Sequence, residues 1–251
     1  MEGHKVAILI VNYNMPERTN ALVEHVSCCV KWPHALVVID NGSDLVSPSK
    51  YTNLWLPENR QTTGGWLAGL RFADSLDDDF FAYWFLITSA EFPDGDRDPL
   101  SPMAQWLVDE PDAVGVHPAL TEDSTTAWTH LISQNGNMKP RRTWMIDNIA
   151  SLWRADWFNK NDRFDPELKY AWGIDLETCF KARQQGRSLW VDERSLIKKV
   201  TNIGYLMERM HMKADTRGQL AGQNMADVLS ERYGANWWDR MLKEDVNDEW
   251  R

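Results

Sequence analysis

Cysteine is scarce in this chain of 251 residues, which has three: Cys28, Cys29 and Cys179. Their spacing fits no zinc site, and two adjacent cysteines on a helical pattern do not readily pair with each other. A disulfide-stapled scaffold and a structural zinc module are thereby excluded, and a reduced, cytoplasmic setting is expected. Long apolar runs are missing as well. Only six apolar residues, Val6 to Val11, follow the N-terminal Met1-Glu2-Gly3-His4-Lys5, too few for the apolar region of a signal peptide. No run approaches the roughly 18 apolar residues that a membrane-spanning helix requires. Positive charge is in deficit, with 27 Lys and Arg against 37 Asp and Glu and a formal net charge of −10. A field of that sign repels polyanions, so general steering toward nucleic acid or anionic lipid is excluded, leaving only a local cluster at Lys139, Arg141 and Arg142. Repeats, low-complexity tracts and linkers are also lacking, so one compact domain over residues 1–251 is expected.

Tryptophan, by contrast, is plentiful, at 14 residues. Its ring serves cores and also stacks on the apolar faces of sugars, so abundance alone decides nothing. Hydrophobic patterning says more. Val6 to Val11 is an unbroken β-branched run, suited to a parallel strand buried on both faces. Pro16 suits a first helical turn, and Ala21, Leu22, His25, Val26, Cys29 and Val30 recur at helical spacing. Strands are predicted over Ala35 to Ile39, Thr52 to Leu56 and Phe80 to Ile87, with a loop over Pro57 to Gly65 and a helix over Trp66 to Ser75. Further on, a helix is predicted over Pro102 to Asp109 and a strand over Ala113 to Val116. The polar stretch Leu120 to Pro140 is a candidate acceptor loop, and Ile149 to Trp153 reads as a strand. A helix over Asp175 to Gln185 closed by Gly186, a strand over Leu189 to Asp192, and helices over Asp215 to Arg232 and Asn236 to Glu244 complete the chain. The class is α/β, a mostly parallel Rossmann-like sheet flanked by helices with a helical C-terminal segment. Within it three parts are expected, residues 1–116, 117–200 and a C-terminal segment over 201–251.

Chemistry gathers at the strand ends. Asp40, in Asp40-Asn41-Gly42-Ser43-Asp44, follows a buried strand and is placed to accept hydrogen bonds from a base or a ribose; capping the turn is its other reading, as it is for Asp44. Gly64 and Gly65 allow close backbone approach to a ligand, or simply the start of a helix. Asp175, at a helix start, is placed to act as a general base or as an N-cap. Glu177, two positions on, faces elsewhere, so the two do not form a close dyad.

Four segments in order carry a resemblance. They are Ala7-Ile8-Leu9-Ile10-Val11-Asn12-Tyr13-Asn14, Val37 to Asp44, Glu58-Asn59 through Gly69-Leu70-Arg71-Phe72-Ala73, and Phe164-Asp165-Pro166-Glu167 with Tyr170 to Glu177. Together they resemble a family 2 glycosyltransferase of the GT-A fold, over about Val6 to Val200. The resemblance implies a sugar moved, with inversion, from a nucleoside diphosphate sugar, UDP-sugar by default, to a hydroxyl acceptor. It places Asn12, Asp40, Asp44, Gly64, Gly65 and the Lys198-Lys199 pair on the donor, and Asp175 as catalytic base. Asp147, Trp153 and Trp172 fall on the acceptor side. The same resemblance implies a nucleotide-binding role for residues 1–116 and an acceptor and catalytic role for 117–200. Mn or Mg is implied as cofactor, but where the pattern has two aspartates around one residue this chain has Ser89-Ala90-Glu91. Glu91 is then the ionisable ligand that remains, with His211 as a substitute and Asp94, Asp96 and Asp98 nearby in sequence. Lys198 or Lys199 contacting phosphate would replace part of the cation's charge. Two alternatives stay open: a non-catalytic sugar- or nucleotide-binding relative, and a transferase acting on a polymer such as modified DNA or protein.

Overall fold

The structure is a computed structural model and describes residues 4–76, 78–93, 97–134, 138–200 and 211–243. In chain order the first half comprises β1 (Lys5–Asn12), α1 (Pro16–Cys29), β2 (His34–Asp40), β3 (Leu54–Trp55), α2 (Gln61–Asp74) and β4 (Phe80–Ile87). The second comprises β5 (Ala90–Glu91), α3 (Leu100–Asp109), β6 (Ala113–Leu120), β7 (Arg141–Thr143), β8 (Leu152–Arg154), α4 (Ala155–Lys160), α5 (Ile174–Gln184), β9 (Ser188–Lys199), α6 (Ala214–Tyr233) and α7 (Trp237–Lys243).

Among the described residues the sheet runs β3-β2-β1-β4-β8-β6-β9-β5, with β7 also on β9. Strands β3, β2, β1 and β4 are parallel, the Rossmann-like part. Short β8 then runs antiparallel to both β4 and β6, β6 and β9 are parallel, and β5 and β7 run antiparallel to β9. Strand alternation sends successive side chains to opposite faces, and β1 fills both. Val6, Ile8 and Ile10 enter one core with Leu22 and Val26 of α1 and Met103 and Leu107 of α3. Ala7 and Leu9 enter the other, with Trp66 and Leu70 of α2, Phe158 of α4 and Phe180 of α5.

Helix α4 and the short strands β5 and β7 lie outside the sequence expectation, β6 runs on to Leu120, and three further departures bear on the site. Helix α2 starts at Gln61, so Gly64 and Gly65 lie inside it instead of in the preceding loop. Glycine is used there for packing: a Cβ on Gly65 would lie 3.0 Å from Val11, and one on Gly69 2.8 Å from Ile39, so only a bare backbone lets α2 sit down on β1 and β2. Strand β9 continues to Lys199 through the charged run Asp192-Glu193-Arg194 because its buried acids are paired, Asp192 with Arg194 at 2.7 Å and Glu193 with Arg141 at 2.7 Å. Strand β8 is shorter and later than expected, although Ser151 and Ile149 still accept from Phe85 and Ile87 of β4 at 2.9 and 3.2 Å.

Helix α6 is held down at its C-terminal end by Arg232. That guanidinium pairs with Asp165, Glu167 and Glu177, the last at 3.1 Å, and Tyr233 donates to Glu177 at 2.8 Å. No helix among the described residues is long and apolar enough to cross a membrane.

Candidate active site

A cavity of 640 Å³ opens where β1 and β4 end, beside Val11 and Ile87. Ligands of open α/β sheets collect at such carboxyl ends. One wall is Tyr13, Asn41 and Asn59 with Gln61, Thr62 and Trp66 at the start of α2; the opposite wall is Thr88-Ser89, Asp147-Asn148 and Lys199. The start of α5, Arg217 of α6 and Trp238 of α7 complete it.

Asp175 is the central acid, 9% exposed. The N-cap of α5 is Gly173 at φ 89°, where a Cβ would meet Met225 at 2.8 Å, so the cap position demands glycine and Asp175 falls in the first turn. Its carboxylate accepts from the Leu176 N–H at 2.9 Å. Burial pushes its pKa from 3.8 up to about 8, the negative charge of Asp147 adds to the rise, and Lys199 opposes it. Asp147 is itself raised by burial, against the pull of Lys199 and of the Ile149 and Asn148 N–H groups. Two carboxylates and one ammonium therefore share this end of the cavity.

Two residues of the lining carry buried, unpaired donors. Trp66 Nε1 and Asn148 Nδ2 have no hydrogen-bond partner among the described residues, and both residues line the cavity at 1% and 4% exposure. The Asn148 amide is oriented by Ser151, whose hydroxyl donates to Oδ1 at 2.7 Å. An unpaired buried donor costs about 1–3 kcal/mol. Arg217 joins them, donating to Gln61 Oε1 at 2.9 Å and lying 5.5 Å from the Tyr170 ring centre. Backbone strain gathers here too, with Gln61 at φ 58° and Ala171 at φ 69°. Trp172 and Trp238 line the cavity while 43% and 44% exposed. The Trp172 ring lies on the bare face of α6, 3.7 Å from where a Cβ of Gly222 would stand.

Of the residues singled out in the sequence, Asp147, Trp172, Asp175 and Lys199 meet in this cavity. The others lie outside its lining. Asn12 is buried and accepts from the Met15 N–H at 3.0 Å and the Thr19 hydroxyl at 3.1 Å, shaping the loop that presents Tyr13. Asp40 is buried and accepts from the Ser43 N–H at 3.2 Å, the turn-capping geometry, with burial raising its pKa. Asp44 and His211 meet each other at 2.9 Å on the surface, where a hydrogen bond from Asn14, ahead of His211, lowers the Asp44 pKa. Gly64 and Gly65 serve α2 as described. Trp153 is fully buried, stacked on Trp157 and donating to Ser151, so it is a core side chain. The β5–β9 ladder sets Ala90 opposite Lys199 and Glu91 opposite Lys198; Lys198 pairs with Asp123, and Glu91 pairs with Arg18 at 2.9 Å. Sequence reading missed Trp66, Asn148 and Arg217. An amide and an indole carry no signature of their own, and Arg217 is 156 residues from its partner Gln61.

The basic cluster is also engaged, Arg141 with Glu193 and Arg142 over the Trp190 ring at 5.2 Å. Among the described residues no three His, Cys, Asp or Glu side chains gather to hold a metal ion. Asp94 and Asp96 lie outside the described residues, and Asp98 caps α3 by accepting from the Leu100 and Ser101 N–H groups at 2.9 and 3.0 Å. The described residues therefore offer no all-protein cage for a divalent cation.

No family model and no curated protein matches the sequence. Solved structures do. The structure of GalNAc-T7 with UDP, GalNAc and Mn2+ superposes with TM-score 0.68 at 12% identity, covering 99% of this chain and 52% of that one. The fold is GT-A. A mannosyltransferase from Pyrobaculum calidifontis in complex with GDP-Man and Mn2+ gives TM-score 0.60 at 13% identity over 94% of this chain and 73% of that one. TarS 1-349 from S. aureus gives 0.56 at 13% over 98% and 77%. This GT-A chain spans about half the length of the GalNAc-T7 chain it matches. Identities this low speak to the GT-A fold alone.

Proposed function

We propose that this GT-A chain is a nucleotide-sugar glycosyltransferase that moves a sugar, with inversion, from a nucleoside diphosphate sugar, UDP-sugar favoured, to a hydroxyl acceptor. The observation that carries the reading is Asp175: a carboxylate in the first turn of α5, at the strand-end cavity, with a pKa pushed up to about 8. A base of that strength is matched to taking a hydroxyl proton near neutral pH. In the step, the acceptor O–H proton passes to Asp175 as the acceptor oxygen bonds to the anomeric carbon. The bond from that carbon to the diphosphate oxygen breaks, its electron pair leaving with the diphosphate.

The donor's base is assigned to the Tyr13, Asn41 and Asn59 wall, which Asn12 and Asp40 shape from behind, and the diphosphate to the Lys199 side. Trp172 is assigned to stacking on an acceptor sugar, with Asp147 beside it. The reading keeps the cytoplasmic setting. It favours a small saccharide acceptor over DNA, because Arg141 and Arg142 are already engaged by Glu193 and Trp190.

The test is nucleotide release from a panel of UDP-, GDP-, CDP- and dTDP-sugars, with and without simple saccharide acceptors. Turnover of one donor, lost in Asp175→Asn with donor binding kept, supports the reading. Turnover kept in Asp175→Asn removes the residue as base. Donor binding without any turnover supports the non-catalytic alternative.

A further inference from the structure

We infer that the diphosphate of the donor is held by the chain's own cations, Lys199 foremost, and that nucleotide binding needs no divalent metal. The inference rests on the nucleotide-sugar reading and deepens it. A diphosphate brought into a partly enclosed cavity needs its charge matched, by a bridging metal or by protein groups. The tripeptide Ser89-Ala90-Glu91 lies where the resemblance implies the metal ligands, and its geometry there is ill suited to the task. Ser89 lines the cavity with a neutral hydroxyl, whereas Glu91 is absent from the lining and is engaged by Arg18 at 2.9 Å.

In the same place the structure supplies positive charge. Ala90, the centre of that tripeptide, pairs across the ladder with Lys199, and the Ser89 carbonyl accepts from the Val200 N–H at 2.9 Å, locking the two segments together. Lys199 lines the cavity, and no ion pair to it is formed among the described residues; its neighbours in charge are Asp147 and Asp175. Those two acids are the carboxylates of the lining. A pair that shares a rise in proton affinity beside an ammonium is not the fully ionised oxygen set that Mg or Mn prefers. Arg217, 8% exposed and fixed by Gln61, adds a guanidinium to the same lining. An ammonium and a guanidinium make a lining complementary to acceptor oxygens.

The experiment is calorimetric titration of the full chain with UDP, GDP, ADP, CDP and dTDP, in EDTA and again in Mn2+. Binding of one nucleotide in EDTA is expected, with an affinity that Mn2+ alters less than about threefold. Lys199→Met is expected to weaken it roughly tenfold, the loss of one charge-assisted contact, and Lys199→Arg to restore most of it. Circular dichroism and melting of both variants exclude misfolding as the cause. Binding that appears only with Mn2+, or Lys199→Met binding as tightly as wild type, overturns the inference and leaves the glycosyltransferase reading standing. Failure of every nucleotide to bind in both conditions overturns the two together.

Discussion

The Asp175 carboxyl, the proposed base, has consequences for stability as well. Its pKa is raised on folding from 3.8 to about 8, so between those values the native state holds a proton that the unfolded chain releases. The stability contributed by this group is full below about pH 3.8, declines as pH rises, and is lost once pH passes about 8. Asparagine carries no charge to bury, so the margin by which Asp175→Asn melts above wild type is expected to grow steadily from pH 5 to pH 9, ~1 kcal/mol moving a chain of this size by roughly 2–4 °C. Its turnover should fall about 100- to 10,000-fold. Equal melting temperatures at pH 9 would show that Asp175 is not buried as described. Asp147 and Lys199 tune the same group in opposite senses. Removing the like charge with Asp147→Asn should move the acid limb of the pH–rate profile to lower pH, and removing the cation with Lys199→Met should move it to higher pH, read from kcat between pH 5 and 9.

Among the elements, α6 forms a wall of the cavity through Arg217 and the Gly218–Gly222 face beneath Trp172, and Arg232 fastens it. Arg232→Met would leave Asp165, Glu167 and Glu177 facing one another, two of them buried. A loss of roughly 3 kcal/mol in urea unfolding is expected; a loss under ~0.5 kcal/mol would mean that the carboxylates relax into solvent. Gly173→Ala forces a Cβ against Met225 at a positive φ and should cost at least ~1 kcal/mol. The strands that were legible in the sequence, β1, β2 and β4, are those whose two covered faces leave an apolar run as their signature. The full length of β9 was hidden because its interior acids are neutralised by Arg141 and Arg194, and a pairing made across the fold leaves no local trace. The start of α2 was hidden because its glycines read as loop while serving to seat the helix.

For the molecule as a whole, charge and topology matter more than any one contact. With a net charge of −10 and the Arg141-Arg142 pair engaged, the protein should pass a DNA column at 50 mM salt without retention; salt-dependent retention would reopen the polymer-acceptor reading. Residues from three distant stretches, Asp147, the Trp172–Asp175 segment and Lys199, come together in one cavity, which follows from their places at strand ends and a helix start. The residues that left no trace, Arg217 above all, are those whose role depends on a helix returning from the end of the chain.

That return orders events in time. Strands β1 to β4 need only the first 87 residues, but the cavity is closed by Lys199, Arg217 and Trp238. During synthesis at about 5–20 residues per second, the parallel half is available to fold well before these side chains leave the ribosome. A nascent chain at that stage is thus a sheet without a pocket, and the cavity is completed only once Lys199, Arg217 and Trp238 have emerged.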